Sequence, residues 1–317
     1  MKKIWIAGLS FILVCLCFVY GIYKVNTKIN TLSLTVEELV AERDEIRLPD
    51  LDPHGAGFKV TQFGDVTQSQ EMCYTITTAT GLVIVDGGYS YEVPLLRKVI
   101  AQYNNHVDAW ILTHPHPDHM TAFLDIYENP QGIVIDRIYT VRMPDLETLQ
   151  SNASWDDYST LERFWEIGVP EAEYPQKGDT LELFGGLTME ILSVYNEGVD
   201  ELSNDLMNDG SLMFRIRGER DSMLFCADVG VSMTDWLVAG YGEGLKSDYV
   251  QMGHHGFGGP GESFYELADP QAVFFDAPAW LMESDTDRST REKEQLMRDM
   301  GCTIFTYYTA PNQIILQ

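Results

Sequence analysis

Six consecutive residues, His114-Pro115-His116-Pro117-Asp118-His119, carry three imidazoles and one carboxylate. Imidazole nitrogen and carboxylate oxygen are the donors that zinc and other borderline divalent ions accept. A histidine-rich surface turn is the bland alternative, and for a single histidine it would be preferred. Four such groups in six residues, directly after the apolar run 107–113, instead point to a metal centre. The run reads as a buried strand, and the C-terminal ends of strands are where α/β sheets place their sites. Pro115 and Pro117 are expected to keep a regular helix from running through the motif, so that its side chains splay.

Three further segments offer matching chemistry. Asp228 closes the apolar run 223–227, where a lone carboxylate needs a partner or a cation. His254 and His255 follow the predicted strand 248–252 in a glycine-rich loop that permits close approach to a ligand. Asp86 ends the run 81–86 just before Gly87-Gly88, as a turn residue or as part of the same site. No phosphate-binding loop, dinucleotide-binding glycine pattern or Ser-His-Asp signature competes with this set.

The elements that must position these groups alternate. Strands are predicted over 57–63, 72–77, 81–86, 107–113, 133–141, 187–194, 211–217, 223–227, 248–252, 272–275, 303–307 and 313–316. Helices are predicted over 94–103, 120–127, 155–167, 262–267 and 290–300. Mixed strands and helices of this kind imply sheets flanked by helices. The acidic, aromatic stretch around Trp155, Tyr158, Phe164 and Trp165 reads as the packed face of an inserted helix, with a pocket wall as the rarer use.

On these residues the chain resembles the metallo-β-lactamase-fold hydrolases over roughly 57–317. Within them it looks most like the metallo-β-lactamase domain of ComEC-type DNA-uptake proteins. The order Asn208-Asp209-Gly210-Ser211, then Ala227-Asp228, then His254-His255-Gly256-Phe257 carries that likeness. The resemblance implies an αββα sandwich with a site for two metals, zinc first and manganese or iron as alternatives. It implies His114 and His116 on the first metal, and Asp118, His119 and His254 on the second. Asp228 would bridge, Asp86 would orient the ligand loop, and His255 would face substrate. Asp118 would hold or accept the proton of the water that becomes the attacking hydroxide. The chain departs from the family pattern in having no histidine between His119 and His254. Asn208, Asp209 or Ser211 are the candidates to fill that place. Met120-Thr121-Ala122 stands where the subgroup has Gly-Gly, and Phe257 where it has serine.

Charge and the N-terminus complete the reading. Asp and Glu number 48 against 21 Lys and Arg, a net charge of −27 over 317 residues. Such a surface repels phosphate backbones and disfavours long nucleic acid as a partner. Residues 4–23 form an uncharged apolar run behind Lys2 and Lys3, long enough to span a membrane as a helix. The expectation is a transmembrane anchor over 1–25, a stalk over 26–56 and a catalytic domain over 57–317 outside the cytoplasm, with a cleaved secretion signal as the alternative. The expected activity is hydrolysis of a phosphodiester or other phosphate ester. The rival classes are a binding or scaffold module that has lost turnover, and a partner of a DNA-uptake channel.

Overall fold

The computed structural model describes residues 48–317, apart from Val66, Gln68 and residues 285–288. Its strands, in chain order, are β1 (Phe58–Gln62), β2 (Cys73–Thr77), β3 (Leu82–Asp86), β4 (His106–Val107), β5 (Ala109–Ile111), β6 (Val134–Ile135), β7 (Ile138–Tyr139) and β8 (Ala172–Glu173). They continue with β9 (Thr180–Phe184), β10 (Leu187–Ser193), β11 (Met213–Arg217), β12 (Ser222–Phe225), β13 (Tyr249–Gln251), β14 (Ala272–Phe275), β15 (Thr303–Thr306) and β16 (Asn312–Leu316). Two seven-stranded sheets result, ordered β16-β1-β2-β3-β5-β7-β8 and β15-β14-β13-β12-β11-β10-β9.

The period-two rule explains how one sheet serves two layers. In β3, Val83 and Val85 join the core shared with the second sheet, where Phe214, Phe225 and Phe274 lie. Leu82 and Ile84 point the other way, into a separate apolar cluster. That cluster is closed by Leu96, Val99 and Ile100 of helix α1 (Val93–Gln102) and Phe123 of helix α2 (Pro117–Glu128). Sheets face each other and helices cover the outside, as expected for the sandwich.

The inserted region differs from its prediction. It holds two short helices, α3 (Leu146–Asn152) and α4 (Ser159–Ile167), joined by a turn that includes Trp155 and Asp156. Leu161 and Phe164 of α4 are buried in the core, so the packed-face reading describes this helix, while Trp155 is exposed. The strand predicted over 133–141 is two short strands in different sheets, because β6 pairs with β4 and β7 with β5.

The expectation of a single-pass membrane protein is corrected here. Among the described residues no helix is long and apolar enough to cross a membrane. The longer ones, such as the 12-residue α2, rise only about 18 Å and carry one apolar face against the sheet. The run 4–23 that carried the expectation lies outside the described residues.

Candidate metal centre

Four strand ends converge. Asp86 is the last residue of β3, the histidine motif follows β5, Asp228 follows β12, and His254 and His255 follow β13. β3 and β5 run parallel, as do β12 and β13, so all four loops leave at C-terminal strand ends. Pro117 does not exclude a helix, as the sequence suggested. It takes the first position of α2, where its missing N–H costs nothing. His116 is therefore the N-cap residue, and Asp118 and His119 lie on the first turn.

The backbone is bent to reach this arrangement. Asp86, Ala227, His254 and His255 all have positive φ, between 47° and 55°. Side chains other than glycine seldom adopt that region, and such residues gather at functional sites. Gly259 permits the loop to close on itself: a Cβ there would lie 2.1 Å from the Gly253 carbonyl oxygen.

Hydrogen bonds behind the cluster fix which nitrogen of each ring faces inward. Asp86 is fully buried; it accepts from the Thr113 amide at 2.7 Å, the Thr113 hydroxyl at 2.7 Å and His119 Nδ1 at 2.8 Å. The Thr113 hydroxyl proton is thus committed, so its oxygen accepts from His114 Nδ1 at 3.2 Å. The Asp276 backbone carbonyl accepts from His255 Nδ1 at 3.1 Å. Both Asp156 oxygens lie 3.1 Å from His116 Nε2. The atoms left to point inward are Nε2 of His114, His119 and His255 and Nδ1 of His116.

Those inward atoms crowd together. His114 Nε2 and His116 Nδ1 are 2.9 Å apart. His119 Nε2 lies 3.4 Å from Asp228 Oδ1 and 3.8 Å from Asp118 Oδ2. His255 Nε2 lies 3.2 Å from Asp118 Oδ2 and 3.4 Å from Asp228 Oδ2. Among the described residues, His119 Nε2, His255 Nε2 and Asp228 Oδ1 are buried without a hydrogen-bond partner. Buried polar atoms are normally satisfied, so their convergence fits a cation. His114, His119 and Asp228 form one group with ligand spacing, and Asp118, His119 and His255 a second.

The electrostatics ask for positive charge. Burial opposes ionisation of His119 and His255, yet the neighbouring carboxylates win and raise both, His255 to about 10. Asp228 is held well below the usual carboxylate range: burial works against this, and His255 and His119 overcome it. His114 goes the other way, since burial keeps it neutral and ready to donate a lone pair.

The two adjacent histidines take positions different from those the sequence suggested. His255, expected to face substrate, is buried in the cluster beside Asp118. His254, expected there, stands at the mouth with its Nε2 3.8 Å from Asp228 Oδ2 and its side chain 24% exposed. The three fill-in candidates differ in how far they are committed elsewhere. Asp209 accepts from Ser203, Gly230 and Ser232, and Asn208 donates to Asp205. Asn208 Oδ1 and Ser211 Oγ are buried and make no hydrogen bond among the described residues. Sequence reasoning missed Thr113, Asp156 and Asp276. The acidic Ser-Trp-Asp-Asp-Tyr segment around Asp156 was the available signal; a threonine and a backbone carbonyl carried none.

Residues 66–267 match the family model described as Metallo-beta-lactamase superfamily. No curated protein matches the chain in sequence. The structure of the metallo-beta-lactamase fold protein YhfI from Bacillus subtilis superimposes with a TM-score of 0.51 at 13% identity, over 83% of this chain and 100% of that one. CmlA, a diiron β-hydroxylase from Streptomyces venezuelae, does so with a TM-score of 0.51 at 16% identity, over 83% of this chain and 55% of that one. At these identities the likeness is one of fold.

Proposed function

From the premise that this chain belongs to the metallo-beta-lactamase superfamily, we propose that it is a two-metal hydrolase acting on a phosphodiester or another phosphate ester. One observation carries the reading: inward nitrogens and carboxylate oxygens, several of them buried without partners, converge from four strand ends. His114 and His116 would hold one cation, Asp118, His119 and His255 the other, and Asp228 lies within reach of both groups. Bound divalent cations supply a Lewis acid and bring the pKa of water to about 7.

The remaining work falls to the chain's own residues. Asp118 Oδ2 is the partly exposed member of its group and the acceptor placed to take the proton of an attacking water. Asp86, Thr113 and the Asp276 carbonyl keep three imidazoles in one tautomer, so no reorientation precedes reaction. His254 borders the mouth, where an incoming group would meet it. The phosphate-ester assignment rests on the likeness of the Asn208–Ser211, Asp228 and His254–His255 segments to ComEC-type domains, together with the fit of paired cations to in-line displacement. The net charge of −27 favours small esters over long nucleic acid.

The test is metal content per full-length chain by elemental mass spectrometry, followed by turnover of bis(p-nitrophenyl) phosphate. Near two metals, with hydrolysis abolished in Asp118→Asn and His116→Ala, is the expected result. No metal after incubation with Zn²⁺ or Mn²⁺, or full hydrolysis in both variants, refutes it.

A further inference from the structure

The family histidine that would complete the first metal position is absent between His119 and His254, yet His116 is not left to itself. We propose that Asp156 is the positioning residue for that half of the centre: it holds the proton of His116 on Nε2, so that the Nδ1 lone pair faces the metal. The inference rests on the two-metal reading above.

The geometry is two-sided. Both carboxylate oxygens of Asp156 are 3.1 Å from His116 Nε2, and the two side chains are only 9% and 12% exposed. A carboxylate only accepts, so Nε2 is the donor, and the neutral ring that a metal requires keeps its lone pair on Nδ1. Across the ring, His116 Nδ1 lies 2.9 Å from His114 Nε2. His114 Nδ1 is already committed to the Thr113 hydroxyl, so His114 Nε2 is likewise an acceptor. Two lone pairs aimed at each other at that distance need a shared positive charge, a proton on one ring or a metal ion in its place. Without Asp156, His116 could place its proton on Nδ1 and donate to His114, which would satisfy both rings and close the position to metal.

The turn is built to hold its carboxylate still. The Tyr158 hydroxyl donates to the carbonyls of Leu149 and Ala153 at 3.0 and 2.6 Å, closing the α3–α4 connection. Asn152 ties it to the chain before α5 (Leu206–Asp209) by donating to the Ser203 carbonyl and accepting from the Leu206 amide. The Asp157 amide donates to Asp156 Oδ1 at 2.8 Å, fixing the carboxylate itself. The inserted α3–α4 segment therefore reaches back to the motif after β5 through one aspartate. In this reading it is part of the metal centre.

Stepwise metal affinity of the full chain, measured by chelator competition with Zn²⁺ and followed in parallel by the visible spectrum of Co²⁺, tests this. Outer partners of metal-bound histidines typically contribute about 10–100-fold in affinity. Asp156→Ala should weaken one of two metals by about that factor and leave the other as in the parent. Asp156→Asn, which keeps size and one acceptor but no charge, should weaken the same metal by about 10-fold. His116→Ala should remove that same metal. If Asp156→Ala fails to fold, Asp156→Asn carries the comparison. Parental affinity at both positions in a folded variant overturns the inference, and so does equal weakening of both metals, which marks a role in the fold. A parent that binds no metal overturns the two-metal reading itself, and this inference with it.

Discussion

Asp86→Asn replaces one oxygen of a fully buried carboxylate with an amide nitrogen. The native group accepts three hydrogen bonds, from the Thr113 amide, the Thr113 hydroxyl and His119 Nδ1. It has no second role to preserve, since the Trp110 indole donates to the backbone carbonyl of Asp86 and not to its side chain. An asparagine keeps one accepting oxygen. If that oxygen stays with the Thr113 amide, the new NH₂ faces two donors, the Thr113 hydroxyl and His119 Nδ1. The hydroxyl can rotate, but the imidazole cannot without losing its inward Nε2. Each buried group left unsatisfied costs about 1–3 kcal/mol. One orphan from the imidazole and one from the amide give a loss of about 2–6 kcal/mol, a large share of a typical stability of about 5–15 kcal/mol. Urea unfolding of the metal-free full chain, with chelator present, measures it. Metal competition on the same samples should show about 10–100-fold weaker binding at the His119 position. A variant within about 0.5 kcal/mol of the parent, with parental metal affinity, would refute the claim that Asp86 fixes His119.

The other predictions concern the same cluster. In metal-free protein at pH 7, His255 is protonated, with its pKa pushed up to about 10, so metal binding must displace that proton. Calorimetry in two buffers of different ionisation enthalpy should show about one or more protons released per chain, and buffer-independent heats would refute this. His255 also sets a stability trend: its raised folded pKa stabilises the metal-free fold below about pH 6.5, and the effect fades as pH rises towards 10. His255→Ala should abolish that decline. Burial raises Asp276 to about 6, outweighing the amide and hydroxyl donors around it, so its contribution is present below about pH 4 and lost as pH rises through 6. Asp276→Asn should flatten metal-free stability between pH 4 and 7. Finally, His255→Ala should lose the metal at Asp118 and His119 while His254→Ala retains it, as metal content per chain will report. The reverse pattern would restore the order expected from sequence.

What could be read without coordinates followed physical rules of different strength. Strands β3, β5 and β12 announced themselves as short apolar runs because both their faces are covered, whereas the half-exposed β8 and β9 were not predicted. The histidine motif was legible because its residue types have one shared chemistry. The choice between His254 and His255 was not, because it depends on two consecutive left-handed residues, and no side-chain property of histidine encodes that backbone. The start of α2 at Pro117 was misjudged for a related reason, since proline blocks a helix interior but suits its first position. Asp156 escaped because its partner is 40 positions away, and an aspartate in an acidic loop looks solvated until the fold brings a ring against it.

The pairing of β16 with β1 gives the centre an order of assembly. Phe58 lies opposite Leu316 and Gln62 opposite Asn312, so the first strand of the unit waits for its last. Asn312 Nδ2 donates to Gln62 Oε1, and Gln62 Nε2 donates to Asp276, the residue whose carbonyl steadies His255. During synthesis all the histidines and aspartates of the cluster leave the ribosome before Asn312 does. The chain can gather its ligands early, yet Gln62, one of the donors to Asp276, is itself tied down only when β16 zips into place. A nascent or C-terminally clipped chain would therefore present a looser site and a bare β1 edge, open to another chain's strand.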